Sequence, residues 1–483
     1  MAEKMKRHIS ILLLTAMAIT IFGCENTDTS AETTDTEETT DTVETDVFAG
    51  MDVENYNGRE FKWMIPDMDA YSGDMWLSEA TGEVYNDAIF KRNMLVEERF
   101  GIKIVPVIEE YSWDLRDQYR GKIRASVQSN DHAYDMIACH SYIMPSLILD
   151  NMLINLNDVD ELRFDKPWWS QLVYENTVCN GKIYAMTGDI SINVLEFANV
   201  IFMNNDIVEE FGLEAPYQTV LDGKWTTDAL ETMIKNTSRD LDGNGKYDGN
   251  DSFGYVFHDS STLNTIPVSF GMNMTKREGD DIVFNLDSEK AVMCAEYIQK
   301  FFVENPDVHY ATTETGGSGK DIFMDGRAMF YAHQLYTLVS MRSMEDTYGI
   351  LPFPKYDEAQ ENYYTLIRDS YAGFGIPADV TDTGFVGTIM EALCVSGSEY
   401  VFPAYYDVLL KGKTARDDGS LEMLDLIKNS VSIDFASAYG NELSNIANLY
   451  AEIFVNKRDF SSYWASQKST VTKQLDKLLE YFR

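Results

Sequence analysis

Val84-Tyr-Asn-Asp-Ala-Ile-Phe-Lys-Arg-Asn-Met-Leu-Val-Glu-Glu-Arg-Phe-Gly-Ile-Lys-Ile-Val-Pro-Val-Ile108 is the stretch that decides the fold class. An amphipathic helix over Val84–Arg99 is followed at once by a short apolar strand over Ile102–Ile108. The alternation continues on both sides. Glu60–Ile65 reads as a strand before it, and Leu115–Gln128 and Tyr134–Cys139 as a helix and a strand after it. Strands alternating with helices argue for parallel sheets covered on both faces. Farther on, Gly181–Thr187, Phe197–Asn204, Phe253–Phe257 and Ile282–Phe284 read as strands. Asp206–Phe211, Thr226–Asn236 and Asp287–Val303 read as helices, the last with Asp287 as its N-cap. Beyond residue 380 the pattern is helical, over Thr383–Leu393, Ser420–Asn429, Glu442–Phe454 and Phe460–Tyr481. α/β segments in both halves and a helical C-terminus predict two α/β lobes with crossovers between them. Clefts between such lobes are where ligands bind.

The chain has 483 residues, 45% of them hydrophobic and 12% aromatic, which suits two or three packed domains and excludes a disordered chain. Its formal charge of −40 repels phosphate, and no Lys/Arg run compensates, so nucleic acid is excluded as a partner. An anionic membrane surface is repelled as well.

The charge is unevenly spread. Lys4, Lys6, Arg7 and His8 precede an apolar stretch, Ile9 to Phe22, in the layout of a secretory signal peptide over residues 1–23. The stretch is too short for a comfortable membrane span. It ends in Ile21-Phe22-Gly23-Cys24, which resembles the lipobox of bacterial lipoproteins, in which the cysteine receives the lipid (diacylglyceryl and palmitate) and becomes the first residue of the mature chain. Residues 25–54 hold eleven acids, nine threonines and no base. They cannot bury enough apolar surface to offset their ordering entropy, so residues 24–54 read as a solvated tether. The remaining cysteines, 139, 179, 294 and 394, sit in apolar neighbourhoods without metal spacing and read as buried free thiols.

The sharpest local signal is Asp240-Leu-Asp242-Gly-Asn244-Gly-Lys246-Tyr-Asp248-Gly-Asn-Asp251. Side-chain oxygens of Asp240, Asp242, Asn244, Asp248 and Asp251 and the carbonyl of Lys246 fall where a loop wraps Ca²⁺, and Gly245 falls at its sharp turn. With Asp at the last position the loop is similar to dockerin-type calcium loops, and its role would be structural. Thr315-Gly-Gly-Ser-Gly-Lys-Asp321 fails as a phosphate loop, because Glu314 and Asp321 replace the required glycine and hydroxyl, and reads as a flexible surface loop. Gly373-Phe-Gly-Ile-Pro377 fails as a dinucleotide motif, because Pro377 interrupts the helix it must open. There is no HExxH or GxSxG, and the six histidines lack ligand spacing.

Aromatic residues are plentiful, and those just past strand carboxyl ends are the candidates for a cleft, where flat rings stack on sugar faces and polar groups orient hydroxyls. That test selects Trp113, His140, Ser141, Tyr142, Asp189, His258, Tyr331 and His333.

Taken in order, several pieces resemble the extracellular solute-binding lipoproteins of ATP-binding-cassette (ABC) importers, specifically the carbohydrate-type family 1 proteins of Gram-positive bacteria. They are the lipobox and tether, Asn93–Ile104, Gly181-Lys-Ile-Tyr-Ala-Met186, Trp225-Thr-Thr-Asp228 with the Asp-rich loop, Phe323-Met-Asp-Gly-Arg-Ala-Met329, and Tyr348-Gly-Ile-Leu-Pro-Phe-Pro-Lys-Tyr-Asp-Glu358. The resemblance implies a periplasmic-binding-protein-like type II α/β fold with two lobes joined by hinge crossovers. Lobe 1 is then residues 55–190 with 370–430, and lobe 2 residues 191–369 with 431–483. Tyr348–Lys355 belongs to lobe 2, and Leu366–Pro377 crosses back. It further implies a monomer, lipid-anchored on the extracellular face of the cell membrane, that passes an oligosaccharide to ABC permease subunits and performs no chemistry. A secreted carbohydrate-active enzyme, or the same fold binding a peptide or another non-sugar solute, are the alternatives.

Overall fold

The strand–helix–strand read at the start of the globular part is present as β1 (Arg59–Asp67), a helix over Val84–Phe100, and β2 (Ile102–Glu110). The helix buries Ile89, Arg92, Asn93, Val96 and Phe100, one face at three- and four-residue spacing. It stops at Gly101, whose φ of 62° lets its N–H reach the Glu97 carbonyl. The reversed chain then runs beside β1 in parallel register, from Arg59↔Ile102 to Asp67↔Glu110.

The computed structural model describes residues 46–483 except 53, 69–71, 280, 313–314, 316, 368–370 and 411–417. The signal peptide, Cys24 and the tether as far as residue 45 lie outside the described residues. The other strands are β3 (Met136–His140), β4 (Asn199–Asn204), β5 (Phe253–Phe257), β6 (Thr275–Glu278), β7 (Asp281–Phe284), β8 (Val308–Tyr310), β9 (Ala328–Gln334), β10 (Tyr348–Leu351), β11 (Thr365–Leu366), β12 (Ala372–Gly375) and β13 (Val431–Ser432). They form two main sheets, ordered β12-β3-β1-β2 and β10-β4-β9-β5-β8. Both are mixed where parallel sheets were expected, since β12 runs antiparallel to β3, and β4 runs antiparallel to β9 and β10. These two strands enter straight from the crossovers and so arrive from the opposite end.

Both sheets are covered on both faces. On β1, Phe61, Trp63 and Ile65 join one apolar cluster while Met64 joins a second, and on β4, Val200 and Phe202 separate likewise from Ile201 and Met203. The expected thiols are buried and unpaired at Cys139, Cys179, Cys294 and Cys394, and burial pushes the Cys294 thiol up to about 12.

Three local expectations are corrected. Gly181–Thr187 is not a strand, because it touches the edge strand β12 only at the bridge Met186↔Phe374 and otherwise turns on itself at Cys179↔Lys182. Asp287 is not an N-cap. Ser288 caps the helix Glu289–Ile298, accepting from the Ala291 N–H at 3.2 Å, while Asp287 accepts from Trp464 Nε1 at 3.0 Å and Lys468 Nζ at 2.8 Å. Ser318, within the glycine-rich segment read as a loop, caps a helix over Gly319–Met324.

The first crossover, Asp189 to Asn199, is anchored by buried polar groups. Arg92 donates to the carbonyls of Ile190 and Met75, and Asp74 accepts from Ser191 Oγ, the Ile192 N–H and Tyr85 Oη. Glu196 accepts from Asn193 Nδ2 at 3.2 Å and Tyr405 Oη at 3.4 Å. Desolvation, with the nearby Asp74 charge, pushes the Glu196 carboxyl up to about 8. The folded chain therefore holds a proton there that the unfolded chain releases near its ordinary value of about 4.3. Stability from this group is full below that value and is lost as pH rises toward 8. Glu196→Gln is expected to flatten the decline of the urea midpoint between pH 5 and pH 8.5. An unchanged decline would refute the assignment.

Candidate functional site

In the first sheet β1, β2 and β3 are parallel, so their carboxyl ends share one edge, and the chain leaving β2 and β3 carries an aromatic group. Trp113 lies 4.7 Å, centroid to centroid, from Tyr142 and 6.2 Å from His140, and Tyr111 stacks on His140 at 6.0 Å. The Tyr142 N–H donates to His140 Nδ1 at 3.2 Å, which leaves the ring proton of a neutral imidazole on Nε2. Arg116 covers part of the Trp113 indole at 4.5 Å, yet the side chain remains 52% exposed. Between these rings the buried Ser141 Oγ has no partner among the described residues. A buried hydroxyl left unpaired is costly unless something else satisfies it.

In the second sheet β5, β8 and β9 are parallel and present a second group at their carboxyl ends. Tyr331 and His333, expected just past a strand, are within β9, and His258 follows β5. The His258 ring stacks on His333 at 4.7 Å and on Tyr331 at 5.8 Å. Tyr331 Oη is 3.1 Å from His258 Nδ1, and His333 Nδ1 is 2.6 Å from Thr337 Oγ1. Burial holds the His258 imidazole below its ordinary value, against the opposing pull of Asp259 and Asp321. Tyr336 extends the group, 5.7 Å from His333 and 5.7 Å from Phe197 of the crossover, and is 42% exposed.

Strand pairing sets both groups beside the crossovers. Ala372, where β12 begins, pairs with His140, and Asn199, where β4 begins, pairs with Gln334 at the end of β9. The incoming segments pair at Ala198↔Ile367. Each ring-bearing end is thus the end at which a crossover enters its sheet. Ile367 lies only five residues before Ala372, a reach of at most about 17 Å. Both aromatic groups thus border the crossovers, and their rings and polar edges suit a ligand with flat apolar faces and hydroxyl edges.

Of the eight candidates, Trp113, His140, Ser141 and Tyr142 come together in one group, and His258, Tyr331 and His333 in the other. Asp189 joins neither group. It is 2% exposed, and its carboxylate accepts from Lys428 Nζ at 2.8 Å. Tyr111 and Tyr336 were missed by the sequence reading. Both lie one to two residues past a strand end, the position that selected the others. A cavity of about 1030 Å³ lies on the flank of the second sheet among Phe302, Val303, Tyr310, Phe454 and Val455 and shares no residue with either ring group.

In the Asp-rich loop, carboxylate oxygens of Asp240, Asp242 and Asp251 lie within 4.8 Å of one another. Asp240 accepts the N–H groups of Gly243 and Gly245 at 2.7 and 2.8 Å, and buried Asp251 accepts those of Leu241 and Asp248 at 2.8 and 2.9 Å. Each of these oxygens keeps lone-pair capacity for a further partner. Asn244 and Asp248 turn onto neighbouring N–H groups, of Lys246 and Asn250, and the Lys246 side chain is exposed. Arg327, at the start of β9, ties the loop down through the carbonyls of Gly249 and Asp251 at 2.6 and 2.9 Å.

Solved structures with this architecture share it along nearly their whole length. An ABC substrate-binding protein from Listeria monocytogenes in complex with cycloalternan aligns over 87% of this chain and 99% of its own, with a TM-score of 0.53 and 12% identity. A cyclo/maltodextrin-binding protein complexed with maltotetraose aligns over 88% and 97%, with a TM-score of 0.53 and 12% identity. The fold is that of the ABC substrate-binding proteins. M. tuberculosis UspC has this binding-protein fold too, with a TM-score of 0.56 and 14% identity over 86% of this chain and all of its own. No family model matches the sequence, and no curated protein matches it.

Proposed function

We propose that this chain is an extracellular solute-binding protein that captures a neutral oligosaccharide between its lobes and delivers it to the permease of an ABC importer. The observation that carries this reading is the pair of aromatic groups at the two sheet ends that border the crossovers, with a buried hydroxyl in one of them that has no partner among the described residues. Closure over a sugar exchanges its water for ring stacking and hydrogen bonds, and the permease then reads the closed shape. Solved proteins of the same fold hold cycloalternan and maltotetraose, which supports a glycan. In this reading Cys24 carries the lipid, the acidic tether spaces the lobes from the outer face of the cell membrane, and the protein works as a monomer without chemistry of its own. A thermal-shift screen against linear and cyclic glycans, with peptides as the contrast, tests it, because bound ligand stabilises the native state by mass action. Stabilisation by peptides and by no glycan rejects the sugar.

We further propose that the loop Asp240–Asp251 holds a structural Ca²⁺, with carboxylates of Asp240, Asp242, Asp248 and Asp251, the Asn244 amide oxygen and the Lys246 carbonyl as ligands. The Asp240, Asp242 and Asp251 oxygens already stand within reach of one ion. Millimolar Ca²⁺ is expected to raise the melting temperature, chelation to lower it, and Asp240→Ala to remove both responses. Melting indifferent to Ca²⁺ and chelator alike disproves the site.

A further inference from the structure

The hairpin β6–β7 lies in the chain between β5 and β8, two strands of the second sheet, and so belongs to the second lobe. Ile282 shares an apolar cluster with Ala291 of the helix Glu289–Ile298 that follows. Its polar side nevertheless reaches the first lobe. The exposed Arg277 guanidinium donates to the carbonyl of Glu175 at 3.2 Å and to that of Val178. These carbonyls lie at the C-terminal end of the helix Gln171–Thr177, which follows β3 and precedes the first crossover and whose Tyr174 stacks on Phe164 at 5.3 Å, on the first-lobe side. A helix end leaves its last carbonyls unpaired and carries partial negative charge, so a cation there is favoured.

Further links accompany it. Asn273 Nδ2 donates to Asn176 Oδ1 at 3.5 Å, Asn176 Nδ2 donates to Ser432 Oγ in β13 at 3.0 Å, and buried Asp434 accepts from the Thr275 N–H at 3.1 Å. These groups border a polar cavity of about 130 Å³ beneath Arg277. At the hairpin tip Asp281 accepts from the C-terminal Arg483 at 3.1 Å, and the adjoining Tyr481 and Phe482 rings lie 5.4 and 5.8 Å from Tyr184. Tyr184 is on the first-lobe side, two residues before the bridge Met186↔Phe374.

We propose that the β6–β7 hairpin is a strap between the lobes, with Arg277 its releasable clasp, and that it holds them in the arrangement described here. The core contacts at the hairpin base are permanent, whereas the clasp is solvent-exposed and its hydrogen bonds exchange readily with water. It therefore biases the population of lobe arrangements and leaves the fold untouched. The proposal goes beyond sugar capture and needs no ligand.

The test places spin labels at Gln128→Cys and Glu209→Cys, exposed helix positions on the first and second lobes, in the chain carrying Cys24→Ser. The four buried thiols do not react. With Arg277 intact one interlobe distance population is expected. Arg277→Ala adds a displaced second population, and Arg277→Lys, which keeps the charge without the fork, falls between. The melting temperature stays within error of the parent for both variants, which separates loss of the clasp from loss of fold. Identical distance distributions for Arg277→Ala and the parent overturn the strap, and so does a shift that Arg277→Ala produces only together with a lowered melting temperature. Failure of every glycan to bind leaves this test standing, so the two readings fail separately.

Discussion

Glu391→Ala is expected to destabilise the protein by about 3 kcal/mol, the low end for removing one member of a buried pair, since Glu391 is buried while its partner Arg163 is 28% exposed. Glu391 is fully buried on the helix Thr383–Ser396. Its Oε1 accepts from Arg163 Nε at 2.9 Å and Trp168 Nε1 at 2.8 Å, and its Oε2 from Trp169 Nε1 at 2.8 Å and the Arg163 N–H at 3.2 Å. The alanine orphans two indole donors and a guanidinium at once and leaves a void beside two tryptophans, so desolvation and packing losses add. Glu391→Gln keeps the shape and one acceptor oxygen, and is expected to lose less. Urea denaturation measures both, and a loss below about 1 kcal/mol for the alanine contradicts the account of this network.

The second large effect is on binding. Trp113 and Tyr336 are two of the four aromatic side chains that stand well exposed among the described residues, and they belong to different aromatic groups, beside Tyr142 and beside His333. Neither supports a core, so Trp113→Ala and Tyr336→Ala should leave the melting temperature nearly unchanged. A stacked ring contributes about 0.5–1.5 kcal/mol beyond its buried area, so each replacement should weaken glycan affinity by roughly tenfold. The double variant should lose the sum of the two, since the rings act from different lobes. Tyr331→Ala is the instructive contrast. Tyr331 is fully buried against Phe202 and Phe323, so its loss should lower stability together with binding. Calorimetric titration checks all four, and full affinity in the double variant removes these rings from the site.

The strand-end rule found most of the site because parallel strands put their carboxyl ends on one edge wherever they occur. His258 needed only a correctly read strand before it, and His140 closes β3 one residue past the expected end at Cys139. The rule failed at Asp189, where the preceding segment is not a strand and the carboxylate is drawn to Lys428, 239 residues away in sequence. No local pattern encodes such a partner. Tyr336 escaped because β9 runs four residues past Phe330, which moved the expected strand end back from the true one at Gln334. The antiparallel entry of β4 and β12 was equally hidden, since direction within a sheet is set by where the crossovers meet and not by the composition of either strand. Ser318 is a different case, as Ser318-Gly-Lys-Asp321 has the cap spacing, but the preceding glycines dominated the reading.

Calorimetric titration of maltotetraose and other neutral linear and cyclic oligosaccharides into the chain tests the central claim most directly. The account predicts one site per chain for at least one neutral glycan, with a negative heat-capacity change as the rings and the sugar leave water. Absence of heat and of thermal stabilisation for every neutral glycan, beside saturable binding of a peptide, would contradict it.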